Sequence, residues 1–384
     1  MNLSKTKVMA FGASGVHNLK IEWEGEILEE VSEYIEKRGS WKKEKEKMLR
    51  KAKRAAAMAW NVAVRAGDMT VKGMTSMWTA LVRPHLEYGA EVLNTHTDFV
   101  WAEAEKLMRK VGRRVLKCGR RLPNDAILGE LGWMSMRGRR MLLRLSYWGK
   151  VLAMGKARWV RRVYEDGRSR LGLNARASTW CNLTRKWLVE LGLQAEWDAQ
   201  KVGPAWSDKV RAKILDYEAR LWRARVVKSA KLEDYVRWKN EPGLEEYLEH
   251  GDVPQRRLWT KLRGGCLELR VETGRWERLT TNGVQVPVPR RLRRCKLCFG
   301  GVENARHVLL RCPTYRRQRA VWAETVRQSA RPAVAVAAST LRDNADEELV
   351  MQWMMKGGGQ EAGMQLLVDV WQERAELLGE RGMG

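Results

Sequence analysis

Phe99-Val100-Trp101-Ala102-Glu103-Ala104-Glu105-Lys106-Leu107-Met108-Arg109-Lys110-Val111-Gly112-Arg113-Arg114-Val115-Leu116-Lys117 sets the fold class of this chain. At about 100° per residue, Val100, Ala104, Leu107, Met108, Val111 and Val115 fall within an arc of about 100°. That stripe predicts an amphipathic helix with one buried side. Lys106, Arg109, Lys110, Arg113, Arg114 and Lys117 share an arc of roughly 140° on the other side, with no acid among them. Glu103 and Glu105 sit earlier, in the first turns. Most charged faces are simply solvated, but such faces usually mix signs. This one is therefore also a candidate phosphate-contacting surface.

Upstream, residues 42–65 carry neither Gly nor Pro and are rich in Lys, Ala, Met and Glu, all good helix formers. Pro84 and Gly89 punctuate Val82-Arg83-Pro84-His85-Leu86-Glu87-Tyr88-Gly89 as a turn. Downstream, helices are expected over residues 137–154, after Leu131-Gly132-Trp133, and over 210–227, behind Ser207 as N-cap. Residues 167–204 are less regular and read as a link between helical units. Arg263-Gly264-Gly265-Cys266-Leu267-Glu268-Leu269-Arg270-Val271 alternates and reads as a strand. Further helices are expected near residues 315–329 and 363–381, separated by an Ala-Val stretch and Gly357-Gly358-Gly359. At the start, the strand-like runs 7–11 and 19–23 are too little for a sheet by themselves. The fold class expected is mainly α.

A chain of 384 residues has room for two or three compact units. With 44% apolar and 31% charged residues it can bury real cores. Lys and Arg number 72 against 46 Asp and Glu, a formal charge of +26. A surplus spread along the whole chain suits a long polyanion better than one small acidic ligand. Acidic membrane surfaces would attract it too. However, no run approaches a spanning helix, and residues 1–15 are too polar for a signal peptide. The expectation is an intracellular protein of nucleus or cytoplasm, with RNA or DNA as partner and no membrane. Cys118, Cys181 and Cys266 are isolated and read as small buried apolar residues. Nineteen Trp against three Phe fit core packing, with base stacking as the reading for one or two of them.

The other three cysteines cluster. Cys295-Lys296-Leu297-Cys298 is a C-x2-C turn, followed after eight residues by His307 and after four more by Cys312. Zinc takes four N or S ligands in a tetrahedron, at about 2.0 to 2.3 Å. His307 and Cys312 lie five apart, so a short helix brings both inward only if it ends or distorts near Arg311. Pro313 fits that stop. Gly300-Gly301 lets the chain fold back tightly. Between Arg290 and Arg319 there are ten Lys or Arg and one acid, Glu303. Arg290, Arg291, Arg293, Arg294, Arg316 and Arg317 thus flank a zinc-fixed loop as a candidate polyanion grip.

These residues carry a resemblance. Residues 295–319 resemble the C-terminal zinc knuckle of non-LTR (LINE-type) retrotransposon reverse transcriptases. Upstream, Leu262-Arg263-Gly264-Gly265 and Glu272-Thr273-Gly274-Arg275-Trp276 look like the segment preceding that knuckle. Arg83-Pro84-His85-Leu86-Glu87-Tyr88-Gly89-Ala90-Glu91 looks like the family's thumb signature, with Leu93 where a Trp is common. Residues 124–133 are similar to the element that follows it. Asn2-Leu3-Ser4-Lys5-Thr6-Lys7-Val8-Met9-Ala10-Phe11 resembles the last palm motif. The resemblance implies a palm remnant over 1–39, a helical thumb-like domain over 40–165 and a helical linker region over 166–262. A zinc-knuckle region over 263–320 and a helical C-terminal tail over 321–384 follow.

The departures are specific. The family's catalytic Tyr/Phe-x-Asp-Asp lies upstream of the motif at which this chain begins, and no two Asp are adjacent here. Two-metal nucleotide transfer needs such a carboxylate cluster. After Tyr34 the family's Tyr-Leu-Gly turn is replaced by Ile35-Glu36-Lys37-Arg38-Gly39. The leading expectation is a nucleic-acid-binding, zinc-binding fragment that does not polymerise alone. The second is part of an active RNA-directed DNA polymerase whose N-terminal region is missing from this chain. The third is a structural protein stapled by zinc.

Overall fold

The computed structural model describes residues 42–379, except 66, 68, 94–98, 172–178, 282, 342 and 357, together with 7–8, 22–23, 26–27 and 29–30. The chain is mainly helical. At the start, β1 (Lys7–Val8) pairs in parallel with β4 (Glu29–Glu30), and β2 (Glu22–Trp23) pairs antiparallel with β3 (Glu26–Ile27). The rest of the palm-like motif, and Tyr34 to Gly39, lie outside the described residues.

Helix α1 (Lys42–Arg65) turns Met48, Leu49, Ala52, Ala56 and Ala63 inward, at helical spacing. Thr70 caps α2 (Val71–Met77), its hydroxyl accepting the Gly73 N–H at 3.0 Å. Residues 78–82 then form a wider turn, Arg83 N–H donating to Trp78 O, and lead directly into α3 (Arg83–Glu87). Pro84 therefore lies inside a continuous helical run, contrary to the expected turn. The extra residue opens the ladder just ahead of a ring that cannot donate and would otherwise clash. The chain turns only at Gly89, with φ 66°.

Helix α4 (Phe99–Val115) buries Trp101, Ala104, Leu107, Met108 and Val115, the side its stripe predicts. After it come α5 (Asn124–Leu131) and α6 (Met136–Ala153), the latter capped by Ser135 Oγ on Gly138 N at 2.9 Å. Helix α7 (Trp159–Ser169) ends just inside the segment read as less regular, 167–204, and within that segment the described residues form α8 (Thr179–Glu190) and α9 (Gln194–Ala199). Their buried tryptophans, Trp187 and Trp197, share one core with Trp148 of α6 and Trp206 of α10, and such tertiary partners are not visible in the local sequence. Helix α10 (Trp206–Lys228) begins before Ser207, which is inside its first turn. A tertiary contact sets that start, the Trp206 indole donating to Leu145 O at 2.7 Å. Gly149 makes room for it, since a Cβ there would fall 2.2 Å from the Trp206 ring.

A short α11 (Tyr235–Trp238) precedes α12 (Val253–Arg263), which opens on a capping box of Asp252 and Gln255. The stretch read as a strand is instead the end of α12, a glycine turn and α13 (Arg270–Thr273). Cys266 and Leu267 both give their N–H to Lys261 O, so those donors close a helix end and build no ladder. Next, β5 (Arg278–Thr281) and β6 (Val284–Pro287) form an exposed antiparallel hairpin. Helices α14 (Arg316–Ser329), α15 (Pro332–Thr340), α16 (Asn344–Lys356) and α17 (Gln360–Leu378) complete the described chain. The Ala-Val stretch is thus helix α15.

The described residues form two apolar cores. The smaller joins α6 to α9 and the first half of α10 around Trp148, Trp187, Trp197 and Trp206. The larger joins α1 to α5, the end of α10, α12 and α14 to α17, and it contains Cys295 and Cys312. Helices α6 and α10 contribute to both. At the centre of the larger core, Glu130 of α5 has no exposure and accepts two N–H groups of Arg263 at 3.1 Å. Tyr247 Oη donates to the same carboxylate at 2.6 Å, and Glu245 pairs with Arg263 at 2.9 Å. Both buried charges are paired and hydrogen-bonded, as low dielectric requires.

Candidate metal centre and its basic surface

The C-x2-C turn is built from backbone bonds. Cys295 N–H donates to Gly301 O at 2.8 Å, and Phe299 N–H donates to Cys295 O at 3.1 Å. The N–H groups of Leu297 and Cys298 face the Cys295 sulfur, and Gly300 N–H reaches Cys298 Sγ at 3.4 Å. The positive φ of this turn falls on Phe299, at 56°, an unusual place for a bulky side chain. Gly301 serves another need, since a Cβ there would lie 3.0 Å from His307 Nδ1.

The second ligand pair sits on a widened turn. Residues 307–311 are wound so that Cys312 N–H donates to His307 O at 2.7 Å, five residues back. An ordinary helical turn aligns residues four apart, whereas one extra residue aligns His307 with Cys312. Asn304 opens the turn, its Oδ1 accepting His307 N–H at 2.8 Å. Cys312 leaves it extended at ψ 121°, ahead of Pro313.

The four donor atoms lie within 4.8 Å of one another, and the group could hold a metal ion. Cys298 Sγ is 3.2 Å from His307 Nε2, and Cys295 Sγ is 4.0 Å from Cys312 Sγ. That is about twice an S–S bond, and all described cysteines are free thiols. Cys295 and Cys312 are fully buried and Cys298 is half-buried. Burial pushes the Cys295 thiol up to about 12 and holds the His307 imidazole below its usual range. Without metal, His307 is therefore neutral and Cys295 protonated, so an incoming ion finds the imidazole ready but must displace a thiol proton.

Glu303, the one acid of the basic segment, is turned inward. It has no exposure, and it takes Arg374 Nη1 of α17 at 2.5 Å and Arg270 N–H at 2.7 Å. Arg311 binds Glu347 at 2.6 Å and Asn344 at 2.6 Å, and Arg306 binds Glu347 and Glu348. One side of the knuckle is thus clamped to α16 and α17. Among the flanking arginines, Arg293 is tied to Val271 O and Val288 O, Arg290 to Glu233 and Asp234, and Arg294 to Phe299 O. Arg291, Arg316 and Arg317 are exposed and have no partner among the described residues.

No family model, curated protein or solved structure matches this chain.

On α4, Lys106 pairs with Glu103 at 2.8 Å and Arg109 with Glu105 at 3.8 Å. Arg113 donates to Leu122 O at 3.1 Å and Asn124 Oδ1 at 2.7 Å. Arg114 and Lys117 lie over the Trp60 ring, 5.1 and 5.2 Å from its centroid. Lys110 alone of that arc has no partner among the described residues. Cys118, Cys181 and Cys266 are buried, as small apolar residues would be. Sequence reading passed over Asn304 and Arg374; Glu303, alone among ten cations, was the available signal. Among the described residues no helix is long and apolar enough to cross a membrane.

Proposed function

We propose that the chain is a nucleic-acid-binding protein whose main grip is a zinc-fixed knuckle, and that it does not polymerise by itself. The carrying observation is the disposition of charge. The knuckle's only acid is spent on Arg374 inside the core, while Arg291, Arg316 and Arg317 stand in solvent without counter-ions. Zinc fits the donor set, because two or three thiolates with a neutral imidazole are its preferred ligands. A tetrahedron with metal–sulfur bonds of about 2.3 Å has edges of about 3.8 Å, close to the Cys295–Cys312 separation of 4.0 Å. The C-terminal part of a non-LTR retrotransposon reverse transcriptase is the parentage we propose. The ligand spacing and Arg83-Pro84-His85-Leu86-Glu87-Tyr88-Gly89 support it.

A zinc-stapled structural role is the second reading. It draws on the full burial of Cys295 and Cys312 in the larger core. Fluorescence anisotropy with two oligonucleotides of unrelated sequence separates the two. Phosphate contacts predict similar affinity for both, with log K falling linearly as log salt rises, by about 0.7 to 0.9 per phosphate neutralised. Absence of binding at low salt would leave only the structural role. Primed template with nucleotides and magnesium should not be extended.

A further inference from the structure

Of the tryptophans between residues 60 and 371, all of them described, only Trp159 and Trp276 are exposed, at 77% and 78%; the others in that range are buried or half-buried. A tryptophan left in water forfeits the burial that ordinarily justifies so large a side chain. The surroundings of the two differ. Trp276 follows Arg275, which is committed to Glu272 at 2.8 Å and to Ala230 O, and precedes Glu277. Trp159 opens α7; Lys156 and Arg158 lie just before it in the chain and Arg162 three residues after it, all exposed and with no acid partner among the described residues. The acids of α7 are occupied, Glu165 by Arg161 at 2.7 Å and Asp166 by Arg170 at 2.8 Å. Arg162 lies 5.6 Å from the centroid of the Trp159 ring. Val163, one turn on, and Val160 extend the apolar ledge. Tyr164 is the buried anchor of the helix and holds Gln200 and the Trp148 indole. The platform therefore rests on a fixed base.

We infer that Trp159 is a stacking platform for one base of a single-stranded RNA or DNA, with Lys156, Arg158 and Arg162 holding the adjacent phosphates. Every base has a π-face, and a flat exposed ring beside unpaired cations is what a sequence-tolerant single-strand site requires. Three apolar residues on an 11-residue helix make a poor membrane anchor, so nucleic acid is the partner the surface fits. The site lies in the smaller core's unit, away from the knuckle in sequence, and the inference rests on the nucleic-acid reading.

The test uses the full chain loaded with zinc and a fluorescent single-stranded homopolymer. Trp159→Ala should weaken binding about 5- to 150-fold, the worth of one base–aromatic stack. Because the ring is uncharged, the salt slope should stay unchanged, and duplex binding should change little. Trp159→Phe should retain most of the affinity. Arg158→Ala with Arg162→Ala should instead flatten the slope by about 1 to 2 units. A melting curve unchanged from the parent is expected for Trp159→Ala, since the side chain supports nothing. Parent-like single-strand affinity of Trp159→Ala overturns the platform alone, as does equal loss on duplex. Flotation with anionic phosphatidylserine vesicles that depends on Trp159, with oligonucleotide binding intact, assigns the ledge to membrane instead. A parent protein that binds no oligonucleotide overturns the nucleic-acid reading and this inference together.

Discussion

The basic face of α4 and the basic shell of the knuckle look alike in the sequence and differ in the fold. Both are runs of Lys and Arg with almost no acid. On α4 nearly every cation already has an occupation. The helix itself supplies Glu103 and Glu105, the segment after it supplies Leu122 O and Asn124, and α1 supplies the Trp60 ring. At the knuckle the single acid is buried against Arg374, leaving Arg291, Arg316 and Arg317 with solvent alone. An acid-free arc on a helical wheel therefore says nothing of partners that arrive from carbonyls, rings or the preceding turn. Availability is a tertiary property.

The largest effect that could break the contrast is loss of the zinc proposed for the Cys295, Cys298, His307 and Cys312 cluster. Cys312→Ser should take bound zinc from about one equivalent to well under half, read by metal analysis of purified protein. Since Cys312 is fully buried in the larger core, cooperative unfolding should move to markedly lower temperature as well. Zinc affinity should rise with pH near neutrality, because the Cys295 thiol, raised by burial to about 12, must give up its proton while His307 is already neutral. A chelator competition that shows no pH dependence would contradict that assignment.

How much of this was legible depends on where the cause lies. The α4 stripe at residues 99–117 and the four clustered ligands are local patterns, and the structure has a helix at 99–115 and the four donor atoms together. The five-residue gap between His307 and Cys312 even announced a distorted turn. Readings that failed had distant causes. Residues 263–271 alternate like a strand, yet Arg263 is drawn inward by Glu130, more than a hundred residues away. Helices α8 and α9 were hidden because Trp187 and Trp197 find their partners in Trp148 of α6 and Trp206 of α10, in one core that no local pattern announces. Pro84 marked a turn by composition, while a widened helical turn accommodated it.

Next in size is the buried pair that turns the knuckle's acid inward. Glu303→Ala strands Arg374 in the core and should cost about 3–5 kcal/mol in urea unfolding. Adding Arg374→Met should recover part of that cost, because the uncompensated charge is then removed. A double variant as unstable as the sum of the singles would mean that the two side chains act independently.

The smallest effect on stability carries the most information about function: the salt dependence of oligonucleotide binding in two variants. Arg291→Ala with Arg316→Ala and Arg317→Ala should flatten the log K against log salt slope by about 2 to 3 units, one contact each. Arg109→Ala with Arg113→Ala should lower the melting temperature while leaving that slope nearly unchanged, since both side chains are bound within the protein. The reverse pattern, with the slope moved by the α4 pair and untouched by the knuckle triple, would contradict the account.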